Sequence, residues 1–511
     1  MAASETSERA NARLIAPALP RDSAFDERGR LQIGGCDTIE LARAYGTPAY
    51  VLAENDLLAG ARAFVQAGRR TGHEDLQVVF AAKALPCTAV LALFAREGLW
   101  CDVASGGELH LALKAGFKPE RIVLHGNAKS ESELLMALEH GIGLIVIDNF
   151  DEIDRLQRLC PSAHAERGGA AHVADEADDQ SPHVATEAGG HPPAARIPVS
   201  ASGTAHVPSR GGAHARPQEE PHVAPPIGSH VTRSPGPHAA QGPQDVLIRV
   251  TPDVRGDTHE HISTGQADSK FGFGMAEVQE AIARIEQVPG LNLVGVHCHI
   301  GSQLLNLEPF RREVGELARL GPYSVWDLGG GLGVRYTAEQ PEPPSIEDYV
   351  GALAAAASEH GMGPGSGRRL LIEPGRSLTA NAGVTLYGVQ SVKHNVRRWV
   401  GVDGGMSDNL RPMLYGARYE AHVADRFNGT TPCVLAGKHC ESGDVIVREA
   451  LLDDPRPGDL IVTPATGAYG YAMASNYNGV PRPPVIFCRD GRARVVVRRE
   501  TFEDLTLRDV R

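Results

Sequence analysis

Three things are missing from this sequence, and each absence removes a class of function. There is no block of Lys and Arg: 50 basic residues face 63 acidic ones, for a net charge of -13 with His neutral. Without clustered cations there is no footprint for DNA or RNA, so nucleic acid is not an expected partner. No apolar run reaches the ~18 residues of a membrane-spanning helix. The N-terminal MAASETSERANARLIAPALP also lacks the basic-then-apolar build of a signal peptide. The expectation is a soluble, cytoplasmic protein with no membrane partner. Finally, the eight cysteines (Cys36, Cys87, Cys101, Cys160, Cys298, Cys433, Cys440 and Cys488) never form Cys-x-x-Cys, which fits neither a zinc ribbon nor a disulfide framework.

One stretch breaks composition. From Pro161 to Pro243 the chain is Ala, Gly, Pro, His and Ser with almost no large apolar side chains, and His206, His214, His222, His230 and His238 recur every eight residues. Such a segment cannot bury enough apolar surface to offset its ordering entropy, so a disordered insertion over 161–243 is expected.

Around it, short β-branched runs alternate with amphipathic helical patterns, the signature of βα units. The runs are VVFAAK, LWCDVAS, RIVLHG, LIVIDN, VLIRV, LVGVHCHIGS, SVWDLGGG and LLIEPGR, with segments such as GELHLALKAG and SESELLMALEHG between them. Eight strands and seven intervening helices predict an α/β fold, a (β/α)8 TIM-type barrel over residues 46–378. The insertion would fall on the barrel's bottom face. After Leu378 the texture turns to GVTLYGVQSV, DVIVRE and ARVVVRRE, so 379–511 is expected to be an all-β domain. Residues 1–45 carry little signal and are assigned to a segment packing on that domain.

Nearly every strand run ends in a polar residue: Lys83, Asp102, His125, Asp148, Arg249, His299, Asp327 and Glu373. Eight such residues in phase predict a site at the top face of the barrel. Gly329, Gly330 and Gly331 after strand seven, with Gly375 and Arg376 after strand eight, coincide with the usual phosphate position of such barrels. Lys83 follows the apolar VVFAA, where desolvation would lower its pKa and suit it to a Schiff base. Glu373 could hold a pyridine nitrogen protonated. Lysine, phosphate cradle and carboxylate together indicate pyridoxal 5'-phosphate. A metal reading of His297 and His299 is set aside because no third ligand is placed.

The segments AYGTPAYVL, FAAKAL, CDVASGGEL, DSKFGF, GVHCHIGSQ, DLGGGLGV, IEPGRSL, GKHCESGD and ATGAYGYAMASNYNG resemble the fold-type III pyridoxal-phosphate decarboxylases, and among them the diaminopimelate decarboxylase family. The resemblance covers almost the whole chain outside the insertion. It implies an alanine-racemase-like barrel plus β domain, working as a homodimer with shared active sites. It implies that Lys83 is the Schiff-base lysine with Asp102 nearby, and that His299 stacks on the cofactor ring. Glu373 would meet the ring nitrogen, with Ser302, Gly329, Gly330, Gly331, Gly375, Arg376 and Tyr469 around the phosphate. Arg376, Arg411, Tyr415, Glu441 and Tyr469 would bind substrate, Glu441 holding a distal ammonium, and Cys440 would deliver a proton from across the dimer interface. The expected reaction is decarboxylation of meso-2,6-diaminopimelate to L-lysine and carbon dioxide, the last step of lysine biosynthesis. Arg411 and Glu441 supply the two signs of charge that the substrate's far end requires. The alternatives are a decarboxylase of ornithine, lysine, arginine or a carboxylated polyamine, a racemase of the same fold, and a non-catalytic cofactor-binding homologue.

Overall fold

The computed structural model describes residues 12–160, 242–252, 254 and 269–510. Eight parallel strands, Leu76–Ala81, Trp100–Val103, Ile122–Leu124, Leu144–Ile147, Gln244–Thr251, Leu291–His297, Val325–Asp327 and Arg369–Ile372, pair in chain order, and the eighth pairs with the first to close a barrel. Each of the eight runs read from the sequence is a barrel strand. Seven helices connect them, starting at Thr88, Gly106, Glu131, Phe150, Val278, Glu308 and Ile346. Several begin on a side-chain cap: Ser105, Ser130, Asn149 and Ser345 each accept a backbone N–H of the first turn, which fixes the strand-to-helix corner. Of the low-complexity segment, 161–241 lies outside the described residues. Its flanks, the helix Phe150–Leu159 and the strand starting at Gln244, attach it at the end of the barrel opposite the strand tips.

The C-terminal region is built on β-strands, with the short helix Arg411–Tyr415 among them. Its long strand Gly383–His394 pairs antiparallel with Arg398–Val402 and with Leu460–Pro464. A third partner corrects the sequence-based boundary. Ala49–Ala53, assigned with the barrel, joins this sheet instead, pairing Leu52 with Gly383 and Val485 with Tyr50. All five of its residues are buried, so the strand is as apolar as a barrel strand and its sequence could not tell one sheet from the other. A small sheet of Ala24–Phe25, Leu31–Ile33 and Cys36–Asp37 precedes it, and Leu31 and Ile33 share a core with Val384, Leu386 and Ile486.

One core residue is costly. Glu313, on the helix Glu308–Ala318, has no exposed surface, and the Cys298 thiol is a weak partner for its carboxyl group. Burial raises its pKa from 4.5 to about 8. Between those values the folded chain keeps a proton that the unfolded chain releases, so stability falls as pH rises through that window. The slope for one proton is about 1.4 kcal/mol per pH unit. Glu313→Gln should flatten this part of the curve when chemical denaturation is followed from pH 5 to 8, and an unchanged slope would place the proton elsewhere.

Candidate active site

Alternate residues of a barrel strand face the interior. Val79, Val123, Leu144, Val146, Leu247, Val325 and Leu371 fill that interior as one buried cluster, with Trp100 packed against it. Counting onward in twos from these positions brings Asp102, His125, Asp148, Arg249, Asp327 and Glu373 inside at the strand tips. His297, beyond a register shift between Leu293 and Gly295, is buried at the tip of strand six. Six of the eight polar residues seen in the sequence thus follow from strand parity, and with His297 they are buried, whereas Lys83 on the turn Ala82–Ala84 and His299 past the end of strand six are not.

The ring divides into functional neighbourhoods. Lys83 Nζ lies 3.1 Å from Asp102 Oδ2. Its side chain is 44% exposed, opening into a cavity of about 440 Å³ that is also lined by His299, Glu373 and Arg376. Burial would lower the lysine pKa, but the charges of Asp102 and then Glu373 outweigh it and hold Lys83 above the usual range. The depressed lysine expected from its apolar strand is therefore corrected: the carboxylates that counter desolvation come from strands two and eight. His299 is pushed well below its ordinary value, by burial first and then by the Lys83 and Arg249 cations. It is a neutral imidazole whose Nδ1 accepts the Gly330 N–H at 3.1 Å, which leaves the ring proton on Nε2. Asp148 and Arg249 pair with each other at 3.8 Å, to one side of the cavity.

Beneath the cavity, Glu373 Oε1 is 2.7 Å from His125 Nε2, and Oε2 is 3.5 Å from His297 Nε2. The shorter contact lacks well-directed hydrogen-bond geometry, so Oε1 keeps capacity for another donor. Ligand-type atoms of His125, His297, Asp327 and Glu373 all lie within 4.8 Å of one another. Two ligands each ~2.1 Å from a tetrahedral zinc stand well over 3 Å apart, so the 2.7 Å contact marks a cluster closed on itself.

At the other end, Arg376 Nη2 donates to Ser302 Oγ at 2.9 Å, Nη1 donates to the Tyr336 hydroxyl, and the guanidinium lies 4.8 Å from the Tyr469 ring centre. Of the glycines, Gly331 and Gly375 line the cavity. The amides of Gly329 and Gly330 are engaged by Asp327 and His299, and Gly329 has φ +56° with Cys298 O only 2.3 Å from where a Cβ would stand. These two shape the turn.

The β domain supplies the remaining wall. Tyr469 N–H donates to Ala84 O at 2.7 Å, tying its loop to the turn that carries Lys83. Arg411 and Tyr415, on the short helix Arg411–Tyr415, line the cavity. Arg411 donates to the Tyr419 hydroxyl and lies 4.9 Å from the Tyr336 ring centre. Lys83, His299, Ser302, Gly331, Glu373, Gly375, Arg376, Arg411, Tyr415 and Tyr469 are therefore brought together, with Asp102 one hydrogen bond away.

Cys440 and Glu441 are not among the cavity's lining residues. Cys440 is the one exposed cysteine of the eight. Its loop is held from below: Asp444 accepts His439 N–H at 2.9 Å, His439 Nδ1–H at 2.8 Å and Met406 N–H at 2.7 Å, while Cys440 N–H donates to Asn478 Oδ1 at 2.9 Å. Sequence reasoning missed Tyr336, Gln303 and Gln340, which line the cavity. Tyr336 sits in a non-helical, proline-rich stretch with no periodic signal, and only its phenol against two guanidinium groups reveals it.

The comparisons with known proteins agree with one another. A family model described as "Pyridoxal-dependent decarboxylase, pyridoxal binding domain" matches residues 61–185 and 236–380. A diaminopimelate decarboxylase of Actinosynnema pretiosum subsp. auranticum is 41% identical over 95% of this chain and 93% of its own length. One from Bacillus subtilis (strain 168) is 39% identical over 96% and 97% respectively. Among solved structures, the diaminopimelate decarboxylase of M. jannaschii in co-complex with L-lysine superposes with a TM-score of 0.75 at 28% identity, covering 96% of this chain and 98% of that one.

The Lys83–Asp102 pair gives a test that needs no turnover. In cofactor-free protein, Asp102→Asn should move the midpoint of amine modification at Lys83, followed by mass spectrometry against pH, down by about one unit or more. An unmoved midpoint would remove Asp102 as the pairing charge.

Proposed function

The chain belongs to the diaminopimelate decarboxylases, a family of pyridoxal-dependent decarboxylases, and on that premise we propose how its residues convert meso-2,6-diaminopimelate to L-lysine and carbon dioxide. The observation that carries the reading is the presence in one cavity of Lys83 and Glu373 with two guanidinium groups, Arg376 and Arg411.

The residues fit pyridoxal phosphate. Lys83 is the one amine facing Glu373 across the cavity, and Glu373 Oε1, buried without a directed donor, suits a ring N–H. Lys83 would hold the group through Nζ, His299 would stack on its ring, and Ser302, Gly331, Gly375, Arg376 and Tyr469 would hold its phosphate end, with Gly329 and Gly330 setting the turn. When bound, the group supplies an electron sink for the pair released as the C–CO₂ bond breaks.

The chain's own residues do the rest. Arg376, Arg411, Tyr415 and Tyr469 grip and orient the substrate, a guanidinium fork binding a carboxylate in two charge-assisted hydrogen bonds. Cys440 and Glu441 act on the cavity of a second subunit in a homodimer. Their exposed loop supports this, because a thiol serving only its own core would be buried. There the Cys440 thiol gives its Sγ proton to the carbon that lost carbon dioxide, and Glu441 pairs with the distal ammonium.

The purified enzyme should carry a yellow chromophore bleached by borohydride and should release lysine from meso-diaminopimelate. Ornithine or lysine turned over equally well would favour the broader decarboxylase reading. Lys83→Ala should reduce activity to background. Arg411→Ala should lower kcat/KM for diaminopimelate about 100-fold, the worth of a charge-assisted pair of ~3 kcal/mol. Mixing Lys83→Ala with Cys440→Ala subunits should restore part of the activity only if sites are shared, and no recovery would confine each site to one chain.

A further inference from the structure

Behind Glu373 stands a second carboxyl group that the reaction does not use. Asp327 ends the seventh strand with no exposed surface, opposite His297 on strand six and Leu371 on strand eight. Its Oδ1 accepts the Gly329 N–H at 3.1 Å, and its Oδ2 is buried with no donor. Two carboxyl groups packed together away from water cannot both be ionised, so one must keep a proton.

The surroundings decide which one. Glu373 has imidazole nitrogens 2.7 Å and 3.5 Å away, and it faces the Lys83 ammonium. Asp327 accepts one hydrogen bond, from the Gly329 amide, and makes no ion pair as close as those of Glu373. We propose that Asp327 is a neutral carboxylic acid whose Oδ2 carries the proton, a positioning residue that donates to Glu373 and, with His125 and His297, keeps Glu373 an anion beneath the cofactor's ring nitrogen. The assignment of that nitrogen rests on the reading above; the protonation of Asp327 does not.

The electrostatics agree. Burial, and then the Glu373 charge, push Asp327 well above the carboxylate range. Burial alone would raise Glu373 too, but His125 and His297 hold it well below. His297 itself is pushed down to about 3 by burial, so it acts on Glu373 through a neutral ring N–H and not as a cation. The other ionisable groups near Glu373 are Asp102, 3.9 Å from His125, the half-buried His299, the buried Tyr349 on the helix Ile346–Glu359, Arg249, whose charge reaches His297 and His299, and Glu313, behind strand six and neutral below about 8. An ionised Asp327 would place a second negative charge against Glu373, raise its proton affinity and turn it from a counter-charge into a neutral acid. The ring nitrogen would then lose its anionic partner.

Infrared difference spectroscopy of cofactor-free protein at pH 7 reads the proton directly. The wild type should show neutral-acid carbonyl stretches from both Asp327 and Glu313, of which Asp327→Asn loses one and keeps the other, while Glu313→Gln loses the other and keeps the first. If Asp327→Asn removes carboxylate bands instead, Asp327 is an anion and the proposal fails. In holoenzyme, Asp327→Asn keeps an uncharged donor and an acceptor for Gly329. It should therefore leave the pH dependence of the bound cofactor's absorbance in place, whereas Asp327→Leu should shift it by about one unit, a tenfold change in proton affinity. A shift in the Asn variant, or a Leu variant that changes stability alone, would overturn the positioning role. If the Leu variant does not fold, the infrared result stands by itself. Failure to take up pyridoxal phosphate at all would sink the cofactor reading while leaving the infrared test intact.

Discussion

Charge burial at the mouth of the barrel is the constraint around which this molecule is organised. Glu373 is an anion removed from water, and an isolated carboxylate there would be prohibitively costly unless other strands supplied compensation. Strand three brings His125, strand six His297, strand seven Asp327, and the turn after strand one Lys83, itself paired to Asp102 from strand two. None of these partners is a sequence neighbour of Glu373. The carboxylate is tolerable only in the closed barrel, so the site and the closure of the sheet depend on each other.

The β domain completes the cavity from the other side. Its hold on the barrel includes polar contacts: Tyr469 N–H meets Ala84 O, and Arg411 lies 4.9 Å from the Tyr336 ring centre. The strand Ala49–Ala53, lodged between Gly383–His394 and Val485–Arg489, leads directly into the helix Glu54–Arg70 that precedes the first barrel strand. The chain therefore enters the barrel from within the second domain, and the two guanidinium groups can be placed against the lysine end without a mobile linker between them.

The loop bearing Cys440 shows the same economy in a different setting. Asp444 gathers three N–H donors from His439 and Met406, and the His439 ring stacks on Tyr477 with centroids 5.8 Å apart. The exposed Cys440 thiol thus stands on a rigid base.

Much of this was legible in the linear sequence, because the relevant signals are local. Short β-branched runs ending in Lys83, Asp102, His125, Asp327 and Glu373 marked the strands and their polar tips, and the triple glycine was read as a phosphate position. The composition change at Pro161 marked a segment without a core. What the sequence could not carry was the result of distant pairing. It assigned Ala49–Ala53 to the barrel domain, because full burial looks alike in either sheet. It expected Lys83 to be depressed because the countering carboxylates arrive from other strands. Tyr336 was invisible until two guanidinium groups were folded against it. Alternation along a strand is written residue by residue, whereas the field at a buried charge is summed over every element that packs around it, and only tertiary structure performs that sum.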